Sequence, residues 1–187
     1  MLVPVATLVF GTLLLSDPPE SAEGDGEGEG THPGQHHADH PNVVGLRIGY
    51  LGVIEPGSEE TETRSALFIG LSYERTVIHE WLEVELSTPV AISFDDDPLL
   101  SFPIDVHLKK PFHPAPWVSP YVAVGPTFDV TIRPETAVFF GGSFAVGTYI
   151  WPSSRVGIDV ELDYNIVAED GRAIHEVLFA AGPVLRF

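Results

Sequence analysis

The chain has 187 residues, of which 44% are apolar and only 19% are charged, and its 18 glycines and 17 prolines predict many turns. It contains no cysteine, which excludes disulfides, cysteine-based zinc sites, thiol nucleophiles and the lipidated cysteine of a bacterial lipoprotein. The formal net charge of -18 disfavours nucleic acid and anionic membrane surfaces as partners, because both are repelled at long range. We therefore expect one β-rich domain whose compatible ligands are cations.

The chain begins with an apolar run over residues 2–15, LVPVATLVFGTLLL. The run has the length of a signal-peptide core and is shorter than the ~20 residues of a helical membrane span. We therefore expect residues 1–22 to be a signal peptide, although no Lys or Arg precedes the run and Glu20 precedes the small residues Ser21 and Ala22. The alternative is a buried N-terminal strand or helix.

Residues 23–41 are rich in Gly, Glu and His and contain nothing with which to build a core. We expect them to form a disordered leader. Four histidines in it, with Asp39 among them, have spacings that allow a mobile chain to chelate Zn, Cu or Ni weakly: His32, His36, His37 and His40. The alternative is a soluble spacer that is His-rich without binding metal. No other cofactor and no catalytic metal site are expected.

From residue 42 onward the chain divides into runs of roughly ten residues separated by turn signals, as expected for strands that cross a bilayer at a tilt. The eight predicted strands are 43–53, 64–75, 79–87, 100–109, 118–128, 137–149, 155–165 and 174–187. The seventh alternates most cleanly, whereas the fifth and sixth are rich in Gly and aromatics and do not show which face is which. An even strand number closes a barrel with both termini on one side, and closure satisfies the backbone hydrogen bonds in lipid.

The predicted connections fall into two alternating sets. The segments 54–63, 94–98, 129–136 and 168–171 are mostly longer and acidic, as extracellular loops are. The segments 76–78, 110–117 and 151–154 should be periplasmic turns, and Trp151 then lies where an interfacial aromatic girdle is expected.

The last run alternates up to the final residue, so its side chains point to two unlike faces. One face is apolar: Val177, Phe179, Ala181, Pro183, Leu185 and Phe187. The other carries Glu176, Gly182 and Arg186, which suits a strand between lipid and a polar lumen.

The terminal Phe187, the stretch PYVAVGPTF at 120–128 and the stretch FGGSFAVGTYIWPSSRVGIDVELDYN at 140–165 carry a resemblance. Over residues 42–187 the chain resembles the small eight-stranded bacterial outer-membrane proteins of the OmpA-like and OmpW-like barrel superfamily. This resemblance implies an all-β fold, an eight-stranded antiparallel up-and-down transmembrane β-barrel in the bacterial outer membrane. It also implies contact with outer-membrane lipid and recognition of the C-terminal strand, with Phe187 as insertion signal, by the barrel-assembly machinery. No ligand and no catalytic residue are carried over.

The interior of an eight-stranded barrel is barely wide enough for its own side chains, so a broad pore is not expected. Charges removed from water need partners, and we expect an interior network with carboxylates in excess. Its predicted members are Arg47, Arg64, Glu74, Glu83, Glu85, Asp105, Lys109, Arg155, Asp159, Glu161, Asp163, Glu176 and Arg186. Alternatively the surplus acids form a narrow cation path or cation site, lined by Asp159, Glu161 and Asp163.

These features favour a structural or interaction protein of the outer membrane. One alternative is divalent-cation binding or narrow-pore transport through the His-rich leader and the inward carboxylates. A second is a soluble secreted lipocalin-like barrel that binds an apolar ligand, because period-two alternation does not show which face meets water. An enzyme is not expected, since neither His107 nor His175 stands beside a Ser in the sequence, although some barrels of this type modify lipids. The sequence does not predict an oligomeric state.

Four prolines fall inside predicted strands, where each loses a hydrogen bond of the ladder. They are Pro103, Pro120, Pro126 and Pro183. Either the strand limits are wrong or the strands contain bulges.

Overall fold

The computed structural model describes residues 42–55, 62–79, 81–93, 100–132, 136–169 and 172–187. The predicted signal peptide and leader lie outside these residues. The described residues form eight strands: β1 Asn42–Glu55, β2 Glu62–Ile78, β3 Leu82–Ile92, β4 Leu100–Pro111, β5 Val118–Ile132, β6 Thr136–Ile150, β7 Val156–Glu169 and β8 Arg172–Arg186. No helix long and apolar enough to cross a membrane occurs within the described ranges.

Each strand pairs antiparallel with the next, and β1 closes the barrel against β8. Ile48 of β1, for example, lies opposite Ile69 of β2 on one side and Ala181 of β8 on the other. The two ends of the barrel domain meet, because the Asn42 N–H donates to the Phe187 carbonyl at 3.2 Å and the Phe187 N–H donates back at 3.0 Å. The predicted eight-stranded up-and-down barrel is confirmed.

The barrel has two ends that differ in their connections. We call the end that carries Asn42 and Phe187 the terminal end; the connections 79–81, 112–117 and 151–155 lie there. The opposite end, which we call the loop end, holds the connections β1–β2, β3–β4, β5–β6 and β7–β8.

The third strand is displaced from its predicted position. The sequence predicts a turn at 76–78 and a strand at 79–87, whereas β2 continues through Ile78 and β3 runs from Leu82 to Ile92. The turn is closed by the Trp81 N–H, which donates to the Ile78 carbonyl at 2.9 Å. Pro89 does not end the strand, since it is buried on the lumen side opposite Gly70 and burial goes on alternating to Ile92.

The four prolines lie inside strands, and the strand register stays constant past each of them. The structure therefore contradicts the expectation that a strand limit or a bulge falls at these positions. The β4–β5 ladder passes from Asp105 opposite Thr127 to Leu108 opposite Val124, and its pairs are missing only beside Pro126. The β1–β8 ladder has the same gap beside Pro183. Because proline has no N–H, the ladder loses contacts there while both strands stay in phase.

The outer and inner faces of the barrel are chemically opposite. Ile48 and Leu71 on the outer face are each 60% exposed, whereas Glu85, Lys109 and Asp159 on the inner face are 0% exposed. The same parity holds for β5 and β6, the strands whose faces were undecided, because Tyr121 and Tyr149 are buried inward and their neighbours point outward. The soluble lipocalin-like alternative required the inverse arrangement and is contradicted by this parity.

Candidate functional site in the barrel lumen

Aromatic rings close the lumen near the terminal end. We call the cluster of Val43, Tyr121, Tyr149, Trp151 and Val184 the terminal plug. The Tyr121 and Tyr149 ring centroids lie 5.0 Å apart, and those of Tyr149 and Trp151 lie 5.5 Å apart. The guanidinium carbon of Arg186 lies 3.1 Å from the Trp151 ring centroid, a cation–π contact that adds a charged group to the plug.

Above the terminal plug, Arg47 joins acids from two other strands. Its Nε donates to Asp159 Oδ2 at 2.7 Å and its Nη1 to Glu161 Oε1 at 2.9 Å, both on β7. Its Nη1 and Nη2 also donate to the two oxygens of Glu85 on β3 at 3.0 and 2.8 Å. The Tyr121 hydroxyl lies 2.9 Å from Asp159 and 2.7 Å from Glu161. The planar fork of arginine fits such bidentate pairing, and here it crosses the full width of the barrel.

Lys109 extends the network toward β2. Its Nζ donates to Glu85 Oε2 at 2.6 Å and to the Tyr149 hydroxyl at 2.8 Å, and it lies 3.1 Å from Glu74 Oε2. The Tyr149 hydroxyl in turn donates to Glu74 at 2.7 Å. We call Arg47, Lys109 and their bonded carboxylates and tyrosines the central network. Each of its two cations and four carboxylates has a hydrogen-bonded or ion-paired partner, which is the condition for keeping them away from water.

His107 lies beside the central network and contacts a serine. Its Nε2 is hydrogen-bonded to Ser143 Oγ, its Nδ1 lies 3.6 Å from Glu85 Oε1, and its Nε2 lies 3.9 Å from Asp163 Oδ2. Gly125 of β5 lies between His107 of β4 and Ser143 of β6, and a Cβ on Gly125 would lie 1.8 Å from the Val106 carbonyl oxygen. A small residue at this place lets Ser143 reach His107 across β5.

No Ser stands beside His107 in the sequence, yet the fold places Ser143 against it. Ser143 is far away in the chain, and strand pairing brings it close. Serine, histidine and carboxylate stand together as in a hydrolase triad, but Ser143 is 7% exposed and His107 is 1% exposed. A nucleophile needs room for a reacting carbonyl within about 3 Å, and this pair is packed inside the lumen.

Toward the loop end the lumen wall is apolar on one side and polar on the other. An apolar cluster comes mainly from β1, β2 and β8: Leu51, Val53, Ala66, Phe68, Ala91, Phe139, Val167, Ile174, Leu178 and Ala180. Opposite it, the Ser101 and Thr131 hydroxyls donate to Asp129 at 2.6 and 3.2 Å. Asn165 Nδ2 donates to Glu176 at 3.2 Å.

The described part of the lumen contains an inner and an outer cavity, each of about 20 Å³. The inner cavity is bordered by Arg47, His107 and Phe68, and the outer cavity by Arg64, Glu176 and Phe139. Such a volume holds about one water molecule.

The predicted lumen residues occupy different levels of the barrel. The central network unites Arg47, Glu74, Glu85, Lys109, Asp159 and Glu161. Asp105 and Asp163 line the inner cavity, and Arg64 and Glu176 the outer one. Glu83 and Arg186 face inward near the terminal end and are 3% and 2% exposed.

Arg155 is the exception, and its assignment to the lumen is corrected. It is exposed in the turn that precedes β7, which begins only at Val156. Its carbonyl accepts the Arg186 N–H at 2.8 Å, so its backbone supports the end of β8 while its side chain lies outside the lumen.

The histidines of the leader lie outside the described residues. Within those residues no group of three or more His, Asp or Glu is placed to hold a metal ion.

Sequence reasoning did not identify several buried lumen residues, and it placed Trp151 in an interfacial girdle although Trp151 is buried in the lumen. The residues that it did not identify are Tyr121, Thr127, Asp129, Ser143 and Tyr149. The available signal was the alternation of hydroxyl and acidic side chains at 119, 121, 127, 129 and 131 of β5. This signal was obscured because the small residues Ala123 and Gly125, which lie between these positions, are compatible with either face.

No protein-family model matches the sequence, and no curated protein matches it. Solved structures do match the fold. Neisserial surface protein A is 12% identical with a TM-score of 0.67, and the match covers 78% of this chain and 97% of that one. The outer membrane protein OprG from Pseudomonas aeruginosa is 11% identical with a TM-score of 0.54, over 79% and 96% of the two chains. Ail, the attachment invasion locus protein of Yersinia pestis, is 16% identical with a TM-score of 0.51, over 79% and 99%.

These structural matches show a shared fold, and the chain's own surfaces agree with it. A closed strand ladder, a largely apolar exterior and an interior that holds the buried charges are what a barrel in lipid requires. The chain is a small eight-stranded antiparallel β-barrel that has the fold of these outer-membrane proteins.

Proposed function

We propose that the protein is a non-enzymatic structural or interaction protein of the outer membrane, with a filled acidic interior and its connections at the loop end turned outward. The observation that carries this proposal is the buried Arg47, 3% exposed and bonded to Glu85, Asp159 and Glu161 across the lumen. A lumen filled in this way supports a rigid platform for loops and disfavours passage of solutes.

The loop-end segments favour a cationic or basic partner. Residues 55–62 contain Glu55, Glu59, Glu60 and Glu62, and residues 95–97 are three consecutive aspartates. Surfaces of one sign attract the opposite sign at long range and increase association rates. We therefore propose basic protein surfaces or cations as the partners of this end.

The terminal end has features of a membrane interface. Trp81 and Trp117 are 57% and 60% exposed, and Lys110 Nζ lies 5.3 Å from the Trp81 ring centroid. Exposed tryptophans near a basic side chain suit the headgroup region. This supports a periplasmic location for the terminal end, with residues 1–22 acting as the export signal and Phe187 and its strand recognised by the barrel-assembly machinery.

Liposome swelling and planar-bilayer conductance test the filled interior. The refolded barrel should give no swelling with small sugars and no stable conductance steps. A variant with Trp151→Ala and Arg186→Ala removes part of the plug and serves as the partly opened comparison. Sugar passage through the unaltered barrel, at rates similar to the variant, would contradict the proposal.

A second candidate function is divalent-metal capture by the leader. The observation that favours it is the position at which the leader joins the barrel. The leader precedes Asn42, which lies at the terminal end, and His79 and His113 lie at the same end. Six of the eight histidines thus belong to the leader or to this end. Zinc titration of the full chain, compared with a variant in which His32, His36, His37 and His40 are all alanine, tests it. Equal zinc uptake by the two proteins would exclude the leader as the ligand.

A further inference from the structure

The inner cavity lies in a part of the lumen where negative charge is not balanced. Asp105, Glu161 and Asp163 border it together with His107, and Phe68 and Leu178 form part of its apolar side. Arg47 also borders it, but its guanidinium already binds Glu85, Asp159 and Glu161. His107 is the remaining basic side chain on the cavity wall near Asp105 and Asp163, and its Nε2 is 3.9 Å from the Asp163 carboxylate.

The carboxylates beside the cavity have unused hydrogen-bonding atoms. Asp105 Oδ1 and Asp163 Oδ1 are buried without a hydrogen-bond partner, and so is His107 Nδ1. The three residues are 3%, 5% and 1% exposed. A buried acceptor that lacks a donor is costly, and a buried carboxylate needs either a proton or a cation beside it. A species that supplies both hydrogen bonds and positive charge would satisfy this cavity.

The size and arrangement of the cavity restrict what that species can be. About 20 Å³ holds one particle the size of a water molecule. A divalent metal needs several ligands around one point, and the described residues contain no such group of three or more His, Asp or Glu. An ammonium-sized cation needs only acceptors within hydrogen-bond distance, and it can share the cavity with an apolar wall.

We propose that the inner cavity is a binding site for one small monovalent cation of the ammonium class, held between the carboxylates of Asp105 and Asp163. The cation donates hydrogen bonds to the two unpartnered oxygens and balances charge that the central network leaves over. The site is reached from the loop end, because the terminal plug and the central network close the other side.

The direct test measures thermal unfolding of the refolded barrel in micelles at constant pH and ionic strength. Ammonium chloride is compared with sodium chloride and with tetramethylammonium chloride, whose cation is too large for the cavity. A ligand that binds only the folded state, at 100 times its Kd, lowers the unfolding equilibrium constant about 100-fold. We expect a saturable rise of the unfolding midpoint in ammonium that is absent in tetramethylammonium, and a signal from ¹⁵N-ammonium held in the barrel that is distinct from bulk.

Two variants assign the effect to this cavity. Asp105→Asn combined with Asp163→Asn removes the charge at constant shape and should abolish the ammonium effect, whereas Asp129→Asn changes a buried acid at the outer cavity and should retain it. If the double variant does not fold, Ala180→Val fills the cavity without changing charge and should abolish the effect in its place.

Equal midpoints in all three salts would show a water-filled cavity and overturn the proposal. Equal stabilisation by sodium and ammonium would also overturn it, by showing a site for small cations without hydrogen-bond recognition. Neither result depends on whether the barrel conducts solutes.

Discussion

At the scale of single residues, the lumen depends on a few cations that each bind several acids. Arg47 contacts Glu85, Asp159 and Glu161, and Lys109 contacts Glu74 and Glu85. Loss of one cation therefore leaves more than one buried carboxylate without its partner. Breaking a buried pair costs much more than the pair contributes on balance, because the remaining charge stays away from water.

Replacing Arg47 by methionine should destabilise the barrel strongly. Met has a similar length without charge. The substitution removes the guanidinium from three buried carboxylates, of which only Glu85 keeps a hydrogen-bonded cation, Lys109, and a loss of about 3–5 kcal/mol is expected. Urea unfolding in lipid vesicles, followed by tryptophan fluorescence, measures it. Arg75→Met is the matched control, because Arg75 is exposed on the outer face and its loss should cost within about 0.5 kcal/mol. Similar costs for the two variants would show that the central network does not hold the fold together.

A glycine on β6 makes room for the terminal plug. A Cβ at Gly147 would lie 2.4 Å from the hydroxyl oxygen of Tyr121 and 2.8 Å from the Val160 carbonyl oxygen. Gly147→Ala should therefore displace Tyr121 from Asp159 and cost about 1–3 kcal/mol of unfolding free energy. On the same strand, a Cβ at Gly142 would meet only the Gly125 carbonyl oxygen at 3.7 Å. Gly142→Ala should be close to neutral in the same unfolding assay, and equal costs would refute the packing argument.

At the scale of strands, the alternation of side chains determines which face meets lipid. Strand β7 presents Ile158, Leu162 and Tyr164 outward and Asp159 and Asp163 inward. A shift by one residue would place the acids in lipid, so this strand is locked in its register by both faces.

A lysine in the middle of β7 tests that parity directly. Leu162→Lys places a charge on the outer face and should cost about 2–4 kcal/mol near the bilayer midplane. Val156→Lys, at the terminal end of the same strand, should cost about 0–1 kcal/mol because charges near the interface reach water. Unfolding from vesicles gives both values. If Leu162→Lys is as stable as Val156→Lys, the outer face of β7 does not contact lipid.

The last strand should affect assembly in cells more than stability in vitro. Phe187 ends the chain on the outer face, 50% exposed, and follows β8. Deleting Phe187 should reduce the amount of barrel in isolated outer membranes while the refolded protein unfolds at nearly the same urea concentration. Immunoblots of membrane fractions give the first quantity. A fall in both quantities together would indicate a packing role for Phe187 and no role as a recognition signal.

Strand positions were predictable from the sequence, and cross-lumen contacts were not. Alternation of apolar and polar residues is a local property, which is why β7 and β8 appear nearly where expected. The turn at 79–81 was misplaced by about three residues, because β2 continues through Ile78. Arg47 bonds to Asp159, 112 positions away, and such pairs depend on how far neighbouring strands are offset around the barrel. The sequence supplied the inward charges, but not which acid each cation binds.

At the scale of the whole molecule, the barrel combines a membrane exterior with layered contents. From the terminal end the lumen contains the aromatic plug, the central network, the inner cavity and then the amphipathic outer half. Charges that would be expelled from lipid are thus held inside, while the outer face is almost uniformly apolar. This arrangement explains how a strand that carries several acids, such as β7, fits a membrane protein.

The most direct test of a closed membrane barrel is the mobility of the protein in SDS gels before and after boiling, measured on isolated outer membranes. A ladder of strands closed by β1 and β8 resists SDS until it is heated, so the unboiled protein should migrate as a compact band whose mobility changes on boiling. A protein found in the soluble periplasmic fraction, with one mobility under both conditions, would contradict the lipid-facing exterior and with it the assignment of the acids to the lumen.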